Sequence, residues 1–302
     1  MLFFFSNFIF RYTLEKFIYE KIRLIYKTIR NRKISKDNDK TSSLKGKTIE
    51  TVYQEVAEWG ETKSKEVEEL KRMAQYRREF LGNVSHELKT PIFNIQGYVL
   101  TLLDGGLEDP TINKEYLLRT EKSINRMIAI VEDLETISQL ESSELQLSLK
   151  KTDILALTRE VMEFLEIKAR KRNNNIYFGG NYEKPVYILA DKERLRQVLI
   201  NLIDNSIKYG NQDNGSTKIS FFDMDENILV EVTDNGNGIN ETELPRIFER
   251  FYRTDKGRSR EQGGSGLGLA IVKHIIEAHE QTIHVRSTQG VGTTFAFTMK
   301  KA

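Results

Sequence analysis

Residues 80–91 read FLGNVSHELKTP, and the way this stretch sits in its surroundings decides the fold. His86 lies between Ser85 and Glu87, and Pro91 follows five residues later. Counting in sevens, Val67, Ala74, Leu81, Leu88, Ile95 and Leu102 are all apolar, with Leu70, Val84, Ile92 and Val99 three or four positions on. That is the heptad stripe of a coiled-coil-like seam. His86 is five residues past Leu81, so the spacing turns it away from the seam and toward solvent, with Thr90 on its face at i+4. A proline inside a helix removes one hydrogen bond and costs about 3 kcal/mol. The apolar spacing continues past Pro91, so the helix is expected to bend there and go on.

DGGLEDP (104–110) is a turn signal, and a second stripe follows through Leu117, Ile124, Met127, Val131 and Leu134. Two long amphipathic helices joined by a short turn make a helical hairpin. One hairpin leaves its seam half covered, whereas two hairpins from two chains close a four-helix bundle, so a homodimer is expected.

After about residue 145 the pattern changes to short β-like runs: LQLSLK, NIYF, PVYILA, KISFF, ILVEVTD, TIHVRS and TTFAFTM. Helical patterns at 153–171, 192–209, 243–252 and 267–279 separate them. Several strands are joined by only a few residues, so antiparallel or mixed pairing follows. The fold class is therefore α+β multidomain, with a helical hairpin followed by an α/β sandwich.

The chain has 302 residues, no Cys and a net charge of +2. Neither disulfides nor thiolate metal sites are available. The charge is uneven, because residues 1–36 hold nine Lys/Arg against two Glu. A basic surface for nucleic acid over the whole protein is not expected. MLFFFSNFIF (1–10) is apolar but short of the roughly 20 residues that span a bilayer. A basic segment with Leu14, Ile18, Ile22, Ile25 and Ile29 at helical spacing follows it. This reads as the cytoplasmic half of a transmembrane helix, or alternatively as an interfacial anchor. The expected divisions are a membrane end and juxtamembrane helix (1–30), a linker (31–48), a signalling helix (49–65), the hairpin (66–142), a hinge (143–152) and the sandwich (153–302).

An exposed imidazole is mostly neutral near pH 7 and offers a nucleophilic nitrogen. A neighbouring carboxylate can hold the N–H of the other nitrogen. In 194–210 the apolar face of a helix leaves Asn201, Asn205 and Lys208 in one polar stripe. Amide oxygens with a cation suit a hydrated metal and phosphates, although a merely solvated face reads the same way. ILVEVTDNGNGI places Asp234 at a strand end before Gly236 and Gly238, where a carboxylate can accept an exocyclic amine. Residues 254–265 have the composition of a lid, and Gly264, Gly266 and Gly268 lead into a helix as a phosphate cradle.

These pieces, in this order, resemble the bacterial two-component sensor histidine kinases. SHELKTP is similar to the phosphoacceptor box and NLIDNSIKY to the N box. DNGNGI, FERFYR and GGSGLGLA resemble the first glycine box, the F box and the second glycine box, and the likeness spans roughly 66–300. The resemblance implies an ATP-dependent protein-histidine kinase with a catalytic domain like that of gyrase and heat-shock ATPases. It implies that His86 accepts the γ-phosphoryl group, with Glu87 as base or orienter and Thr90 placing water for dephosphorylation. Asn205 would carry Mg²⁺, supported by Asn201; Lys208 and Arg253 would meet phosphates, and Tyr209 would pack by the nucleotide. Asp234 would bind the adenine amine, with Gly236 and Gly238 at the pocket, Thr293 near the ring, and Gly264, Gly266 and Gly268 around the phosphates. The implied partners are a second copy of the chain and a cognate response regulator. The implied location is the cytoplasmic side of the bacterial inner membrane. Three departures stand out: Ser206 and Gly210, where the family often has a small residue and Ser or Thr, and Glu280–Gln281, where it often has paired glycines. A dimer-gate ATPase clamp and a coiled-coil adaptor are the rival classes. The first lacks an SHELKTP hairpin, and the second needs no nucleotide motifs.

Overall fold

The computed structural model describes residues 6–14, 16–17, 49–141, 147–254 and 264–302. The linker, most of the basic N-terminal helix pattern and most of the lid composition lie outside the described residues. The chain divides into two compact units, residues 1–78 and 79–302.

In the first unit, residues 6–14 and 16–17 are helical, as are residues from 49 on. That later helix carries exposed ion pairs at helical spacing, Lys65–Glu61 at 2.8 Å and Arg72–Glu68 at 2.7 Å. Among the described residues no helix is long and apolar enough to cross a membrane.

Helix α1 spans Ile49–Thr101 with Pro91 inside it, so the helix does continue past the proline, and Pro91 is buried. A wide helical turn, Leu102–Gly106, ends it; Gly105 takes φ 94°, a left-handed conformation that glycine adopts without strain. Asp109 then accepts from the backbone N–H of Thr111 at 2.8 Å, closing the link. Helix α2, Asn113–Glu141, returns beside α1. Tyr98 meets Tyr116 edge-on, with ring centroids 5.6 Å apart. Several seam positions are open in the single chain, with Leu81 58% exposed, Ile92 48% and Leu117 54%, whereas Leu102, just past the end of α1, is buried at 7%. The C-terminal part of α2 behaves differently, since Ile130 and Ile137 are each 1% exposed.

Among the described residues the sandwich has three α-helices, α3 (Ile154–Lys171), α4 (Lys192–Tyr209) and α5 (Gly268–Ala278). Asp153 caps α3 by accepting from the N–H of Leu155 at 3.0 Å, and Asp191 caps α4 through Arg194 N at 3.2 Å. Strands β1 (Lys150–Asp153) and β3 (Tyr187–Ala190) pair antiparallel as a small sheet. The main sheet has the order β2-β4-β5-β7-β6: β2 (Asn174–Phe178), β4 (Gly215–Met224), β5 (Asn227–Asp234), β7 (Gly292–Lys300) and β6 (Ile283–Thr288). Among the described strands only β2 and β4 pair in parallel. Along β5 every second residue is buried, and the period of two carries that inward face through Ile228, Val230 and Val232 to Asp234. The core gathers these with Leu195, Leu199, Leu202 and Ile203 of α4 and Ile271 and Ile275 of α5.

Two expectations are corrected. The stretch 243–252 is not a helix; only a 3-10 turn, Leu244–Arg246, forms there. Phe251 takes φ 62° and gives its N–H to the Gly266 carbonyl, a long-range bond in place of an i→i−4 one. The strand read at LQLSLK starts only at Lys150, so residues 150–152 form part of β1. Pairing with Ala190, Leu189 and Ile188 holds them. Residues 142–146 lie outside the described residues.

Two of the sequence departures have local explanations. The Ser206 hydroxyl is 2.7 Å from Thr217 Oγ1, which donates to Asn174 Oδ1 at 2.9 Å, a buried polar chain under α4. Glu280 takes φ 59° just after the C-terminus of α5. It fills with a side chain the left-handed position that helix ends usually give to glycine.

Candidate functional site

Helix α4 buries Leu195, Val198, Leu199, Leu202, Ile203 and Ile207, so its opposite stripe must face outward from the core. That stripe holds Asn201, Asn205, Lys208 and Tyr209, all lining a cleft of about 1700 Å³. The glycine turn before α5 forms a second wall with Gly264, Gly266 and Gly268, joined by Arg253. A Cβ on Gly266 would lie 2.9 Å from the Phe251 backbone, and Gly266 itself has φ 73°, so only glycine lets these two loops touch. The floor is Asp234 and Thr293, with Gly238 at the edge.

Asp234 is 8% exposed and accepts from the N–H groups of Gly236 at 2.8 Å and Thr293 at 3.2 Å. Burial raises its pKa, and those two N–H bonds act against the rise. One carboxylate oxygen is thereby fixed by the backbone. Thr293 is held in turn, its hydroxyl 2.9 Å from Ser287 Oγ.

The other end of the cleft is cationic. Burial first, and then the nearby Arg253 charge, push the Lys208 ammonium down to about 8. Lys168 and Arg126 add to the same repulsion, while Asp204 opposes it. Positive charges crowded in a half-buried site favour an anion with several charges. Burial also raises the Tyr209 pKa. Among the described residues no group of three or more His, Cys, Asp or Glu lies together for a metal ion. A hard cation here would take the Asn205 amide oxygen together with oxygens of the ligand it accompanies.

The far wall belongs to the hairpin: Thr90 and Pro91 of α1, and Arg126, Ile130 and Asp133 of α2. Asp133 accepts from Ser265 Oγ at 2.7 Å, Gln139 from Arg194 at 2.7 Å, and Phe80 lies 5.7 Å from Phe251, ring to ring. His86 is exposed one turn before Thr90 and is not itself in the cleft wall; Thr90 Oγ1 donates to the His86 carbonyl at 3.3 Å. Glu87 is likewise outside the wall and turned toward α2, where Arg126 donates to it at 2.8 Å. Gly236 lies behind Asp234, in a place where a Cβ would come within 2.1 Å of the Tyr209 carbonyl. The sequence reading missed Arg126, Asp133 and Ser265. The first two sit in an ordinary-looking charged helix, and nothing in their spacing announces a partner 39 or 132 residues away.

The chain matches two family models. Residues 76–143 match the His Kinase A (phospho-acceptor) domain, and residues 190–302 match the histidine kinase-, DNA gyrase B- and HSP90-like ATPase domain. It is 35% identical over 236 residues to the sensor histidine kinase WalK of Bacillus subtilis, covering 78% of this chain and 38% of that one. It is similar to the structure of the histidine kinase AdeS of Acinetobacter baumannii (TM-score 0.56, 31% identity, 72% of this chain and 98% of that one). It is also similar to the histidine kinase ThkA in complex with the response regulator protein TrrA (TM-score 0.61, 29% identity, 74% and 61%). The chain thus spans well under half the length of its Bacillus relative.

Proposed function

The chain belongs to the two-component sensor histidine kinase family, and on that premise we propose that it phosphorylates its own His86 from Mg-ATP and passes the phosphoryl group to an aspartate of a response regulator. One observation carries the reading. A single cleft has Thr90, one turn from the exposed His86, in one wall and the cations and amides of α4 in the other.

When bound, Mg-ATP would supply the γ-phosphoryl group and a cation to offset the phosphate charge. In this reading Asp234 accepts the adenine amine through the carboxylate oxygen that Gly236 and Thr293 leave available. Asn205 offers an oxygen to the metal, with Asn201 beside it on the same face. Lys208 and Arg253 meet the phosphates, Tyr209 packs by the nucleotide, and Gly264, Gly266 and Gly268 let the backbone come close. The His86 nitrogen attacks, and Glu87 takes or orients the proton of the ring. Thr90 shares the His86 face and positions water when the phosphorylated partner is hydrolysed. The uncovered seam at Leu81, Ile92 and Leu117 supports pairing with a second copy into a four-helix bundle. The apolar and basic N-terminal sequence supports a tether at the cytoplasmic face of the membrane.

The test is direct. With Mg-ATP the protein should gain an acid-labile, alkali-stable phosphate. His86→Gln should abolish the label while nucleotide still binds, and Asn205→Ala should remove most of the benefit of Mg²⁺ to binding. Label persisting in His86→Gln sinks the reading.

A further inference from the structure

Glu87 and Arg126 come from different helices and meet through a 2.8 Å bond, their side chains 26% and 28% exposed. Successive residues on a helix point about 100° apart. Glu87 therefore faces α2 while His86 faces solvent, and among the described residues no hydrogen bond joins the two side chains. For Glu87 to serve the imidazole, its carboxylate must leave Arg126. Arg126 has a reason to let go: its Nε is buried and, among the described residues, makes no hydrogen bond. The side chain lines the same cleft as Asn205 and Lys208. A guanidinium binds phosphate as well as carboxylate through paired N–H groups.

We propose that Arg126 is a positioning residue for which Glu87 and the phosphate chain of the nucleotide compete. Bound to Glu87, it keeps the carboxylate away from His86. Drawn to the phosphates, it releases Glu87 to the ring, so that arrival of the phosphoryl donor and arming of the acceptor are one event. The inference rests on His86 as acceptor and the cleft as nucleotide site. In the step itself, one ring nitrogen of His86 forms the N–P bond. The bond from Pγ to the bridging oxygen breaks, and its electron pair leaves with ADP. The proton on the other ring nitrogen passes to the released Glu87, which becomes neutral and so does not draw the guanidinium back.

Competition has a signature that a purely structural ion pair lacks: removing the carboxylate strengthens nucleotide binding. By calorimetric titration with Mg-AMPPNP, Glu87→Gln should bind roughly 3- to 10-fold tighter than wild type. Arg126→Met should bind more weakly. The pair Arg126→Met/Glu87→Gln should bind like Arg126→Met alone, and Arg126→Lys should keep part of the Glu87→Gln gain. Adenosine, which carries no phosphate, should show no gain. Unchanged affinity in Glu87→Gln, a gain that survives in the Met background, or an equal gain for adenosine would each overturn the proposal. Label at His86 with no such coupling defeats this inference alone, whereas absence of label at His86 defeats the reading beneath it.

Discussion

The carboxylate of Asp133 accepts a 2.7 Å hydrogen bond from the hydroxyl of Ser265, tying the second hairpin helix to the glycine turn of the sandwich. The same hydroxyl accepts from the Leu267 N–H at 3.2 Å, so it joins the start of α5 to α2. Burial raises the Asp133 pKa, the Ser265 bond lowers it, and the neighbouring Glu132 raises it again. A carboxylate whose folded pKa is raised is penalised while ionised. The penalty is absent below its unfolded value of about 4, grows as pH rises toward the raised value and is complete above it.

Asp133→Asn should therefore raise the melting temperature at neutral pH. Its amide oxygen still accepts from Ser265, and the buried charge is gone. The gain should shrink as pH falls and vanish below about 4, where aspartate becomes protonated in both states. Melting curves across that range check the sign. A gain that grows on acidification would contradict it.

Lys208 predicts a pH dependence of binding. Its ammonium, lowered to about 8 mainly by burial, loses its proton near that pH in the free protein. Phosphate favours the charged form, so nucleotide binding should take up a proton and weaken as pH rises through this value, by at most about tenfold per unit. Lys208→Met should bind weakly with a flat profile over the same range, measured by titration of Mg-AMPPNP.

Two glycines of one turn should respond differently to alanine. Gly266→Ala puts a Cβ 2.9 Å from the Phe251 backbone at a φ of 73° and should cost about 1–3 kcal/mol, read from urea unfolding. Gly268→Ala sits in the first turn of α5, where the new Cβ meets Asn201 Oδ1 at 3.4 Å. It should leave folding stability nearly unchanged and act on nucleotide affinity instead.

Glu280 holds a left-handed backbone at φ 59° after α5. Gln281 N–H reaches back to the Ile276 carbonyl at 3.1 Å, the closing bond of a helix end that prefers glycine. Glu280→Gly should therefore stabilise the protein by about 0.5–1 kcal/mol, the relief of strain outweighing the added freedom of the unfolded chain. Thermal denaturation measures it, and a loss of stability would show that the glutamate side chain supports the turn.

Some of this protein was settled by its sequence alone. Helices with one apolar stripe and strands with alternating burial are one-dimensional facts, because periods of 3.6 and 2 decide which side chains share a face. The hairpin, the sandwich, the outward His86 and the stripe Asn201–Asn205–Lys208 were all legible for that reason. So was Asp234, whose place at a strand end the alternation of β5 turns inward. The run 243–252 was not legible as a turn, since its apolar spacing imitates a helix and only the long-range bond from Phe251 to Gly266 overrides it. Nor was the far wall of the cleft. Arg126 and Asp133 look like ordinary charges on an amphipathic helix until folding brings Glu87 and Ser265 to them. Periodicity tells each residue which way it faces; which residue it then meets, and at what cost in burial, exists only once the chain has closed on itself.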